Sequence, residues 1–154
     1  MASALIAYLH YMAMASIAVI LVLEHGLCVP GLAADRIRLL ARIDRLYMVA
    51  AVLALGSGAA RVVWFGKGAA FYLHNPVFYI KLALFAAVGL MSIPPTLQFL
   101  RWLRGLDSRS TSVAEDYQVL RVRRYVAAEL ALFVLIPLMA TLMARGIGIQ
   151  SNAQ

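Results

Sequence analysis

The chain has 154 residues, 64% of them hydrophobic and 14% charged, with a mean hydropathy of +0.84. A soluble domain holds about 45–50% apolar and about 25% charged residues, so the composition excludes an ordinary soluble enzyme and implies one integral membrane domain. The net charge of +7 would suggest nucleic acid in a soluble protein. In a membrane chain it reads as loop arginines that fix orientation and touch anionic lipid, with membrane lipid rather than nucleic acid as the partner. The single cysteine, Cys28, excludes an internal disulfide and a cysteine-cluster metal site, and reads as a small residue at a helix end.

Four apolar stretches follow in chain order, at about residues 3–23, 46–64, 76–99 and 126–144. Each comes near the roughly 20 residues a spanning helix needs. The expected fold is all-α: one transmembrane four-helix domain, multi-pass in a bacterial inner membrane. The first stretch lacks a basic leader and is long enough to span, so a retained helix is expected rather than a cleaved signal.

The first connection contains Pro30-Gly31 and a short basic amphipathic piece, Asp35 to Arg42. The second is short and aromatic. The third is the most polar, and Ser112 with Glu115 three residues on predicts a capping box for a helix starting at Val113. Arg36, Arg38 and Arg42 lie in the first connection, and Arg101, Arg104, Arg109, Arg121, Arg123 and Arg124 in or beside the third. The second has only Lys67. The positive-inside rule therefore puts the first and third connections in the cytoplasm and both termini on the outer side. Trp64, Phe65, Phe71 and Tyr72 fit an outer aromatic belt, and Trp102 an inner one. Pro94-Pro95 should kink or end the third helix, and Pro137 should disturb the fourth. Ala50, Ala54 and Gly58 give the second helix a small-residue line suited to close packing.

Lys81 is the one charge in an otherwise apolar third stretch. An ammonium at membrane depth costs roughly 3 kcal/mol on insertion scales and normally faces a partner, a cofactor or water. Its depth is roughly 8 Å from the outer end, and His10 on the first helix is roughly 10 Å deep. Arg61 on the second helix shares that slab, and no acid does. Lys81 must lose its proton, snorkel outward or meet an anionic ligand. A second polar layer on the cytoplasmic side contains Glu24, His25, Asp44 and Glu129. Ion pairs with Arg45 and Arg124 that fasten the helix ends are the plainest account of it, and a proton path or ligand site is the alternative.

On the first helix His10, Met14, Ile17, Leu21 and Glu24 or His25 fall on one face. His10 and His25 share that helix, as in membrane cytochromes with stacked b haems, but no second helix supplies matching histidines. One haem with His10 as ligand remains, with Lys81, Met14 or Met48 as the second ligand.

The strings Asp44-Arg-Leu-Tyr47, Gly66-Lys-Gly-Ala-Ala70, Tyr72-Leu73, Asn75-Pro76, Lys81-Leu82 and Ser92-Ile-Pro-Pro-Thr96 resemble the bacterial membrane family known as domain of unknown function 2214. The resemblance covers nearly the whole chain and implies its architecture rather than an activity. A weaker similarity links the early histidine, Arg-Leu-Tyr at 45–47 and Ile80-Lys81-Leu82 to the J-type haem-containing membrane protoporphyrinogen oxidases. It implies a b-type haem and carries over His10, Arg45 and Lys81. This chain departs from those enzymes at Glu24-His25 and has four apolar stretches where they commonly have five.

Three functional readings follow. In the first, the protein binds haem b and works as a membrane oxidoreductase on a quinone or a porphyrinogen-like substrate. His10 holds the iron, Lys81 is second ligand or propionate partner, and Arg61 or Arg45 takes the other propionate. In the second, it is a cofactor-free structural or accessory subunit of a larger membrane complex. In the third, it is a small transporter that works as a homo-oligomer.

Overall fold

The computed structural model describes residues 1–65, 72–107 and 114–145. It consists of four long helices: α1 Ala2–Leu27, α2 Ala34–Ala60, α3 Pro76–Asp107 and α4 Asp116–Ala144. A π-helical turn, Arg61–Phe65, continues α2. There is no strand among the described residues. Each helix is long and apolar enough to cross a membrane. Consecutive helices run up and down in a ring, with α1 packed closely on α2 and α3 on α4; α1–α4 and α2–α3 are the lighter seams. The N-terminus, the π-turn, the start of α3 and the end of α4 share one end, called here the terminal end. The other is the arginine-rich end.

The helices reach further toward the arginine-rich end than the apolar stretches do. The basic piece at 35–42 is the first part of α2, α3 runs on to Asp107, and α4 starts at Asp116. These extensions are charged on one side, but their apolar side is core: Ile37, Leu40, Phe99, Trp102, Val119 and Val122 are all buried. Burial of one face holds such a helix where hydropathy alone would end it. Trp102 is only 1% exposed, and its Nε1 donates to Gln118 Oε1 at 3.2 Å. It is a core residue and not part of an inner aromatic belt. Trp64 is 74% exposed, as a belt residue should be. Lys67, Phe71 and Ser112 lie outside the described residues.

Two other expectations change. Pro94 and Pro95 sit inside α3, which continues through them. Glu115 is the N-cap of α4 rather than its third residue, so the helix starts later than a capping box would place it. The α4 start is fixed instead by Asp116, whose Oδ1 accepts from Gly31 N–H at 2.9 Å. Gly31 has φ of 73°, a left-handed turn that favours glycine and that points its N–H across to α4. At the start of α3 the cap is Asn75, whose Oδ1 accepts from Val77 N–H at 2.9 Å.

Large apolar side chains such as Val19, Val52, Leu90 and Val134 point outward on all four helices. Outward apolar faces are what lipid requires, and the backbone groups are satisfied within the helices.

Cys28 follows α1 and is fully buried. Burial, with the nearby Glu24 carboxyl, pushes its thiol up to about 12, while Arg123 opposes the shift. The folded chain therefore keeps the proton over a range where an unfolded chain, titrating near ~8.5, loses it. Stability from this group is complete below that range and falls as pH rises toward about 12. The thiolate is the reactive form, so the folded protein in mild detergent should not react with a thiol reagent near neutral pH, whereas the unfolded chain should release one thiol. Rapid labelling of the folded protein would contradict this packing.

Candidate functional site

His10 on α1 reaches across to α2. Its Nδ1 lies 3.0 Å from Ala54 O and 3.1 Å from Ser57 Oγ. A carbonyl can only accept, so Nδ1 carries the proton. The Ser57 hydroxyl donates back to Leu53 O, which leaves its lone pairs for the imidazole N–H. Nε2 takes no part in this clamp. The small-residue line on α2 makes room for it: a Cβ at Gly58 would lie 3.2 Å from His10 Cε1 and 3.6 Å from Nδ1. Sequence alone suggested helix packing as the purpose of that line; here it also seats a side chain.

Two adjoining cavities, of about 270 and 190 Å³, share His10, Gly58, Val62 and Lys81. The larger is otherwise apolar, with Met14, Phe85 and Ile136 in its wall. Leu55, Val63 and Leu82 also line it and are exposed on the outer faces of α2 and α3, so this seam gives sideways access from the lipid. The smaller cavity adds Arg61, Tyr11 and Tyr72. Among the described residues no carboxylate lines either one.

The two cations here rest on aromatic faces. Lys81 Nζ is 5.5 Å from the Phe78 ring centroid, and the Arg61 guanidinium carbon is 5.1 Å from that of Tyr11. Such contacts are worth about 0.5–1 kcal/mol at exposed sites and more when desolvated. Arg61 Nη1 is buried and has no hydrogen-bond partner among the described residues. Arg61 opens the π-turn, the local feature that sequence inspection missed and that tends to occur at functional sites. His10, Lys81 and Arg61 therefore do meet.

Arg45 does not join them. It is exposed, its Nε donates to Ala41 O at 3.2 Å, and it precedes Arg61 by roughly 24 Å of helix. Met48 is exposed as well and is no candidate ligand.

At the arginine-rich end Glu24, Asp44 and Glu129 are all buried. They are not ion-paired: Arg45 and Arg124 are exposed. Equal depth does not mean equal direction, because neighbours such as Asp44 and Arg45 point about 100° apart on a helix with 3.6 residues per turn. Hydroxyls serve two of the acids instead. Tyr47 OH donates to Glu129 Oε1 at 2.6 Å, and Thr96 Oγ1 donates to Asp44 Oδ1 at 2.7 Å. Glu24 Oε1 and His25 Nδ1 are buried without a hydrogen-bond partner among the described residues. His25 Nε2 meets Arg123 Nε at 3.5 Å. Tyr47 and Thr96 are additions from the structure. The signal for them lay in the strings Asp44-Arg-Leu-Tyr47 and Ser92-Ile-Pro-Pro-Thr96, which the fold brings to one place.

Four spanning helices with a basic cavity at one end and buried acids at the other define a small polytopic membrane protein. The chain belongs to the family described as predicted membrane protein (DUF2214), whose family model matches residues 2–148. No curated protein and no solved structure gives a match.

Gly58→Val should push the His10 ring off Ala54 and lower stability by about 1–3 kcal/mol, as overpacking does. Ser57→Ala should cost about 1 kcal/mol for one lost acceptor. Thermal unfolding in mild detergent checks both, and a Gly58→Val protein that melts like the wild type would contradict the His10 placement.

Proposed function

We propose that the terminal-end cavity binds b-type haem and that the protein is a redox protein of the bacterial inner membrane. The observation behind this reading is the clamp on His10. Its Nδ1–H is committed to Ala54 O and Ser57, which leaves Nε2 as the ligating nitrogen in a cavity that also contains Lys81 and Arg61. Histidines that bind metals usually donate the other ring N–H to a carbonyl in this way, which fixes tautomer and ring direction.

The surroundings fit the group. The apolar wall suits a flat macrocycle, and the two adjoining cavities together reach the range of about 300–1,000 Å³ common for small-molecule sites. Propionates would give the buried Arg61 Nη1 and Lys81 the anions that the described residues do not provide there. Arginine matches a carboxylate with two parallel hydrogen bonds. Lys81 serves either as second iron ligand or as propionate partner, and Arg45 has no part. When bound, haem supplies one-electron chemistry. The lipid-facing seam between α2 and α3 suits exchange with a quinone or a porphyrinogen-like substrate. The cofactor-free reading leaves both cations without a countercharge among the described residues that line the cavities.

An absorption spectrum of purified protein, oxidised and then dithionite-reduced, tests this. The expected result is a Soret band with reduced α and β bands. These should be lost or shifted in His10→Ala, shifted or weakened in Lys81→Ala, and unchanged in Arg45→Ala. A colourless protein, even after expression with added haem, would overturn the proposal.

A further inference from the structure

The acids at the arginine-rich end stand apart from the haem reading. Glu24 on α1, Asp44 on α2 and Glu129 on α4 are 2%, 4% and 1% exposed. Asp44 and Glu129 have their hydroxyl donors, Thr96 from α3 and Tyr47 from α2. Glu24 is different: it is buried at the same end of the bundle, and its Oε1 has no hydrogen-bond partner among the described residues. A buried oxygen of this kind needs a hydrogen that the surrounding side chains do not give it.

The groups facing the cluster come from every helix. They are Glu24 and His25 from α1, Asp44 and Tyr47 from α2, Ser92 and Thr96 from α3, and Glu129 and Arg123 from α4, with Cys28 just past α1. Of these only His25 and Arg123 can bring positive charge, and they meet each other at the rim. Three carboxylates buried together repel one another and lack water, so they require a cation. A single proton meets that need through one O–H bond and requires no set of converging ligands. The proton is the cation that fits.

We propose that Glu24, Asp44 and Glu129 form a proton-exchanging site, with Glu24 as the residue that takes up and releases the proton. Uptake forms an O–H bond at Glu24 and raises the charge of the cluster by one. Release breaks the same bond and returns the proton to water, and no electron moves. Protonation removes the negative charge from the buried Glu24 carboxyl, whose Oε1 has no hydrogen-bond partner among the described residues. Exchange runs past His25 and Arg123, at the end the positive-inside rule places in the cytoplasm.

Infrared spectroscopy of the full chain in phospholipid liposomes, in H₂O and D₂O, tests this directly. Near neutral pH the wild type should show the C=O stretch of a protonated carboxyl, which shifts down in D₂O within minutes and fades as pH rises. Glu24→Gln should lose that exchanging component, and Asp35→Asn, a change at an exposed acid, should keep it. Absence of the band in wild type, or a band that ignores both D₂O and pH, would overturn the proposal. The wild-type spectrum alone can do so, whether or not the Glu24 variant folds.

Discussion

A bilayer offers no water to a buried charge, and that constraint organises this protein. Each polar side chain placed inside the bundle must find its partner within it or bring one from outside. The chain meets this in two unlike ways at its two ends. Bases gather at the terminal end as His10, Arg61 and Lys81, and acids gather at the arginine-rich end as Glu24, Asp44 and Glu129. They cannot neutralise one another, since His10 and Glu24 are separated by roughly 21 Å along α1. The bundle is thus polarised, and among the described residues no carboxylate lines the cavities at the basic end.

Local geometry makes the basic end specific. Gly58 and Ala54 let the His10 ring lie against the backbone of α2, and Ser57 turns its hydroxyl into the same contact. The π-turn then begins at Arg61, which stands against Tyr11 at the edge of the cavity. The lighter α2–α3 seam leaves apolar side chains such as Leu55 and Leu82 both lining the cavity and facing lipid. At the acidic end hydroxyls replace cations as partners, and Thr96 beside Pro94-Pro95 reaches Asp44 from α3.

Much of this was legible in the sequence. Composition gave the membrane class, and apolar runs gave four helices, because lipid demands long apolar faces. Depth arithmetic on His10, Arg61 and Lys81 correctly brought them into one slab. It failed for Arg45, Arg124 and Trp102, where direction around the helix matters more than depth. Arg45 turns outward beside the inward Asp44, and Trp102 turns into the core. Hydropathy also cut the helices short at residues 46, 99 and 126, since the charged faces of 34–45, 100–107 and 116–125 mask the buried apolar faces behind them. The hydroxyl partners Tyr47 and Thr96 were out of reach, because contacts across 82 and 52 residues depend on how the helices pack.

The central claim is that the terminal-end cations face an anion that the described residues do not supply. Native mass spectrometry of the protein, purified in mild detergent from a host that makes haem, tests this most directly. The account predicts a chain that carries one additional molecule with the mass of haem and loses it when His10 and Lys81 are both replaced by alanine. A wild-type chain found only at its bare polypeptide mass would contradict it.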